Sequence, residues 1–185
     1  MITNGTFYRN EITADYKAIL ALHQKRLGPG RYAKSSYRVR EIANYDIALS
    51  HVALQNDCLI GSVRQTWVKW SNGELWAYLG PLVVDEKCAG QGVGQILLEK
   101  AAFSAQQYGA RGIILVGDSS YYKRAGYQPC SQLGMKPIFP GPTAPNRALV
   151  LILPYACDNR KDHHDRDISL PLNAESYRDF TPFQK

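Results

Sequence analysis

The segment Cys88-Ala89-Gly90-Gln91-Gly92-Val93-Gly94 puts three glycines on alternate positions. It lies between an apolar run that ends at Val84 and a helical pattern that begins at Gln95. Glycine is needed where a backbone takes positive φ or approaches a ligand closely. The first N–H groups of a helix have no partners within it, and the helix dipole is positive there. The junction therefore suits a phosphate. The spacing G-x-G-x-G misplaces the third glycine of a dinucleotide fingerprint, and no Gly-Lys-Ser/Thr follows as a P-loop requires. A glycine turn that merely leads into a helix is the structural alternative.

The flanking patterns limit the architecture further. Residues 47–54, 59–68 and 75–84 read as consecutive strands joined by turns at 55–57 and 71–73, which predicts antiparallel hairpins. In residues 95–108, Leu97, Leu98, Ala101, Ala102, Ala105 and Tyr108 share one helical stripe, and Gly109 stops the helix. Residues 112–116 read as a buried strand. The unit 75–117 is thus strand, glycine loop, helix, strand, a crossover that sets two strands parallel. Upstream, a strand over 6–10 precedes helices over 14–27 and 34–43, the first ended by Gly28-Pro29-Gly30. Downstream, Asp118 caps a short helix over 119–125. Strands over 127–131 and 148–153 flank a proline-rich stretch at 137–145. Ile96 and Phe103 fall on the polar side of the long helix, where the C-terminal tail or a second subunit would cover them.

Composition excludes several classes. With 185 residues, 45% hydrophobic and 21% charged, the chain fits one globular domain rather than a coiled coil or a disordered segment. The expected organisation is a domain over 1–154 and a polar tail over 155–185. No apolar stretch is long enough for a membrane span and no secretory pattern opens the chain, so a cytoplasmic, non-membrane protein is expected. Cys58, Cys88, Cys130 and Cys157 form no C-x-x-C pair and read as reduced thiols. His163-His164-Asp165 lies in a polar run and reads as solvated tail, so no metal is expected. The net charge of +6 favours anionic partners, but the basic residues are dispersed and no nucleic-acid motif accompanies them. No nucleic-acid partner is expected.

Leu79-Gly80-Pro81-Leu82-Val83-Val84, followed by Ala89-Gly90-Gln91-Gly92-Val93-Gly94 and Gln95-Ile96-Leu97-Leu98, resembles the acetyl-CoA site of the GNAT superfamily of N-acetyltransferases. The stretch from Gly117 to Tyr127, a short helix ending Tyr-x-x-x-Gly-aromatic, resembles that superfamily's second motif. The resemblance implies an α/β fold of GNAT type, with a central mixed, mostly antiparallel sheet flanked by helices. It implies acetyl-CoA as cosubstrate and direct acetyl transfer, in a ternary complex, to a primary amine on a small molecule or a protein. It assigns cofactor binding to Leu82, Val83, Val84, Ala89, Gly90, Gln91, Gly92, Val93, Gly94, Gln95 and Tyr122. Tyr122 also becomes the general acid toward the CoA sulfur, while Tyr121 and Tyr127 read as core aromatics. Ala89 stands where the superfamily usually has Gln or Arg, which implies weaker or altered CoA binding. A non-catalytic acyl-CoA-binding or sensing module of the same fold remains the alternative, and a homodimer stays open.

Other residues are less determined. Glu41, His51, Glu74 and Asp118 are candidate bases, none of them assigned. Asp118 is better explained as a helix cap, and Glu74 as a solvated side chain. Arg31, Tyr32, Arg38, Arg64, Trp67, Trp76 and Tyr78 are candidates for an acceptor pocket. The basic ones favour an acceptor with a carboxylate or phosphate, and the alternative is arginines on a solvated face with tryptophans in the core.

Overall fold

The computed structural model describes residues 2–3, 5–69, 74–135, 137, 139–140 and 143–154. The expected turn at 71–73, the 155–185 tail, Cys157 and His163-His164-Asp165 lie outside the described residues. Strands β1 (Ile2–Thr3), β2 (Thr6–Asn10), β3 (His51–Gln55), β4 (Cys58–Lys69), β5 (Leu75–Val84), β6 (Gly112–Val116), β7 (Gln128–Pro129) and β8 (Ala148–Ile152) form one sheet. Its order is β1-β2-β3-β4-β5-β6-β8-β7. Every pairing is antiparallel except β5 with β6. The single parallel pair is the one the crossover requires.

Helices α1 (Tyr16–Leu27) and α2 (Ser35–Ile42) cover one face, and α3 (Val93–Gln107) covers the other. Strand alternation divides the core accordingly. Ile113 and Leu115 pack with Leu97, Leu98, Ala101 and Ala105 of α3, whereas Ile114 packs with Val39 of α2, Tyr78 and Phe139. Ile19, Leu22 and His23 at i, i+3, i+4 bury one side of α1, and Gly28 at φ 60° ends that helix. After α3, Gly109 at φ 82° turns the chain. Its N–H donates to Gln106 and that of Ala110 to Ala105, so the last carbonyls of the helix are satisfied.

Four boundaries depart from the sequence-based expectation. The predicted strand over 47–54 splits, because the Asp46 carboxylate accepts from Ala48 N–H at 2.8 Å and folds Ile47–Leu49 into a 3-10 turn. The helix over 119–125 tightens after Tyr122 into a 3-10 turn, Lys123–Ala125, closed by Gly126 at φ 83°. The strand over 127–131 shrinks to Gln128–Pro129 and gives way to a 3-10 turn at Cys130, since Pro129 has no N–H to extend a ladder. The long helix begins at Val93, not Gln95, so Val93 and Gly94 belong to its first turn. Phe103 is exposed as the helical wheel predicts, while Ile96 is partly covered by the α3-side core.

Candidate active site

β5 and β6 pair only at Ala77 with Ile113 and Tyr78 with Ile114, and then diverge. On its other side, β5 stays bound to β4 through Val63–Leu82, Ser62–Val83 and Gly61–Val84. One edge of Leu82, Val83 and Val84 is therefore held rigidly, and the other faces the opening wedge between the parallel strands. That wedge leads to the glycine loop. Gly92, at φ 82°, is the N-cap of α3, and Gly90 sits at φ 78°. A side chain would find open space at either position, so the left-handed backbone alone demands glycine. Among the described residues no acceptor reaches the N–H groups of Gly90, Gly92, Val93, Gly94 or Gln95. Five donors, three of them in the first turn of a 15-residue helix, are left for a ligand.

A cavity of about 690 Å³ joins these features. Leu82, Val83, Val84, Ala89, Gly90, Gly92, Val93, Gly94, Gln95 and Tyr122 all line it, as the sequence leads one to expect. Gln91 does not line it. Its side chain is exposed and donates back to the Lys87 carbonyl at 3.0 Å. Cys88, which opens the glycine segment, lines it too, and Arg26, Leu27, Tyr121 and Arg124 line it without having been expected there. Arg26 arrives on the last turn of α1 and meets the exposed Glu86 at 3.4 Å, and Arg124 follows α4 (Ser119–Tyr122). Neither had a local signal, because only the tertiary fold brings α1 and the end of α4 to the glycine loop.

Tyr121 corrects an expectation. It is 44% exposed rather than a core aromatic, and a Cβ on Gly94 would collide with its hydroxyl. Tyr127 is buried, as expected. Tyr122 packs edge-on between the two, with ring centroids 5.1 Å from Tyr121 and 5.7 Å from Tyr127. Gly117 makes room for this ring, since a Cβ there would meet Tyr122 Cε2 at 2.3 Å. Burial, reinforced by the Tyr121 ring, pushes the Tyr122 phenol well above its ordinary pKa. The group stays protonated at neutral pH and can donate its proton.

The base candidates stand elsewhere. Asp118 caps α4, accepting from Ser120 N–H at 2.8 Å and Ser120 Oγ at 2.7 Å. His51 is buried on β3 against Ser104 Oγ at 2.9 Å, and burial pushes it down to about 4. Glu74 meets Arg111 at 3.3 Å while its side chain stays 36% exposed. Glu41 is exposed on α2. None of the four lines the cavity. Of the acceptor-pocket candidates, Trp76 and Tyr78 are buried in the α2-side core, and Trp67 donates to Asp46 Oδ2 at 2.8 Å. No cluster of metal-ligating side chains occurs among the described residues. No helix among them is long and apolar enough to cross a membrane.

A model of the Acetyltransferase (GNAT) family matches residues 16–127. The chain belongs to the GNAT acetyltransferase family. The match spans both α1 and the glycine loop, so the two walls of the cavity belong to one GNAT unit. Within that family the chain is 29% identical to YhbS of Escherichia coli K12, described as an uncharacterized N-acetyltransferase, over 135 residues, 72% of this chain and 80% of YhbS. The crystal structure of E. coli YhbS in complex with CoA is similar at a TM-score of 0.69 and 25% identity, covering 83% of this chain and 84% of that one. The ribosomal-protein-S18-alanine N-acetyltransferase of E. coli shares the GNAT fold at a TM-score of 0.58 and 17% identity, covering 83% of this chain and 97% of that one.

Proposed function

We propose that this GNAT domain binds acetyl-CoA in the 690 Å³ cavity and transfers the acetyl group directly to a primary amine. The observation that carries the reading is the meeting, in one cavity, of the unpaired N–H groups at the α3 N-terminus, the open edge of β5 and the Tyr122 phenol. The N–H groups of Gly90, Gly92, Val93, Gly94 and Gln95 hold the pyrophosphate. Arg26 and Arg124 add positive charge at the cavity wall, in place of the Gln or Arg that Ala89 lacks. Leu82, Val83 and Val84 offer main-chain groups to the pantetheine, and an N–H from this strand polarises the thioester carbonyl. The amine attacks that carbonyl carbon, the C–S bond breaks, and Tyr122 gives its proton to the departing thiolate. The amine's surplus proton leaves through solvent, since among the described residues no carboxylate or histidine lines the cavity. The CoA of the YhbS crystal structure supports the choice of cosubstrate. The free thiols of Cys58, Cys88 and Cys130 fit a reducing compartment such as the cytoplasm.

Steady-state thiol release, with acetyl-CoA and amine concentrations both varied over a panel of primary amines, tests the reading. Direct transfer predicts intersecting double-reciprocal lines. Parallel lines would require an acetylated protein side chain and would contradict it.

A further inference from the structure

A second constellation lies on the α1/α2 face of the sheet, away from the glycine loop. Cations and tyrosine rings alternate along it. The Arg31 guanidinium lies 4.3 Å from the Tyr32 ring centroid, and Tyr32 meets Tyr37 edge-on at 5.6 Å. Arg40 stands between Tyr37 at 5.2 Å and Tyr45 at 5.7 Å. Arg64 lies 3.9 Å from the other contact of that row, the Tyr45 ring. Ring faces attract guanidinium groups, but they do not neutralise them. Among the described residues the row holds three positive charges against one carboxylate, Glu11, which Arg64 already binds through Nε at 2.9 Å and through Nη2. Among the described residues no carboxylate reaches Arg31 or Arg40, and Arg64 Nη1 is buried with no hydrogen-bond partner. His23, bonded to Tyr37 and Ser62 hydroxyls at 2.9 and 3.0 Å, registers the surplus. After burial, the charges of Arg64, Arg40 and Arg31 push it down to about 3.

This row abuts the point where β5 turns into the donor strand. Arg64 occupies the bulge of β4, opposite Gly80 and Pro81, immediately before Leu82. Ser36 packs on Gly80, where a Cβ would meet Ser36 Cβ at 2.8 Å, and Arg40 follows Ser36 by one turn of α2.

From the Arg40 fork, which among the described residues meets no carboxylate, and its place one turn after Ser36, the residue packed on Gly80, we infer that the acceptor is a small amine bearing a carboxylate, which Arg40 binds. The inference rests on the reading of Leu82, Val83 and Val84 as the donor strand. A carboxylate matches the planar guanidinium in two parallel hydrogen bonds, and the flanking tyrosine rings hold the fork in its plane. Arg40 is the positioning cation because it is half-buried and, among the described residues, free of a carboxylate, whereas Arg64 is committed to Glu11.

The test compares the proteinogenic α-amino acids, β-alanine and γ-aminobutyrate with the same amines lacking the carboxylate and with aminoalkyl phosphates. Two readouts are taken, thiol release from acetyl-CoA and the heat of binding to CoA-loaded protein. At least one amino-carboxylate should bind and turn over with kcat/KM about tenfold or more above its decarboxylated counterpart. Arg40→Gln should raise its KM about tenfold. It should also shrink that preference to within about threefold and leave the dissociation constant of acetyl-CoA unchanged. Arg40→Lys, which keeps the charge but not the fork, should recover only part of the loss. The inference is overturned if decarboxylated amines serve as well, if aminoalkyl phosphates are preferred, or if no amino-carboxylate binds while acetyl-CoA does. Failure to bind acetyl-CoA would instead overturn the assignment of the cavity.

Discussion

Tyr122→Phe is expected to lower kcat by about 10²-fold or more and to leave the KM for acetyl-CoA within about twofold of the parent value. The substitution removes one oxygen and keeps the ring that packs between Tyr121 and Tyr127. Packing, and with it the denaturation midpoint, should therefore change little. The chemistry should change greatly, because a thiolate leaving into a protein cavity needs a proton and Tyr122 is the phenol that burial keeps protonated. Since that pKa is raised, the acid form persists through the neutral range, and Tyr122 should not produce a fall in kcat below about pH 10. Initial rates across pH with parent and variant check both statements. A kcat within about threefold of the parent would mean that water protonates the sulfur, leaving Tyr122 only a packing role.

Glu11→Ala carries the largest expected effect on stability, a loss of about 3–5 kcal/mol in urea unfolding. Arg64 and Glu11 have side-chain exposures of 0% and 1%, so truncating the acid strands a guanidinium beneath the Tyr16 and Tyr45 rings. Two charges removed together should cost less than one. The double change Glu11→Leu with Arg64→Met should be more stable than Glu11→Ala, because no unpaired charge remains. A single-variant loss of under about 1 kcal/mol would show that water reaches Arg64 once Glu11 is gone.

How far these features could be read from the chain depends on whether their cause is local. The glycine loop was legible because two of its residues, Gly90 and Gly92, need positive φ and because a helix follows at once. β5, β6 and the Asp118 cap were legible for similar reasons, being set by alternation, apolar runs and a side chain that bonds its own backbone. The start of α3 was misplaced by two residues because Gly94 reads as loop, while in the fold it lets the Tyr121 hydroxyl lie against the first turn. Tyr121 itself was misread, since adjacent tyrosines on a helix give no sign of which one faces a cavity. Arg26, Arg124 and the pairing of Arg64 with Glu11 were hidden for a different reason. Glu11 and Arg64 are 53 residues apart, and only the sheet order β2-β3-β4 brings them together. The row of arginines and tyrosines lies beyond local pattern in the same way: Arg31, Tyr32 and Arg64 were candidates for the acceptor side, whereas Tyr37, Arg40 and Tyr45 were not.

The central claim is that the α3 N-terminus and the open edge of β5 form a CoA site despite Ala89. Calorimetric titration of the full chain with acetyl-CoA, then CoA, with NADH as control, tests it most directly. Micromolar binding of both CoA species and no heat from NADH are expected. Absence of binding to either CoA species, or equal binding of NADH, would contradict it.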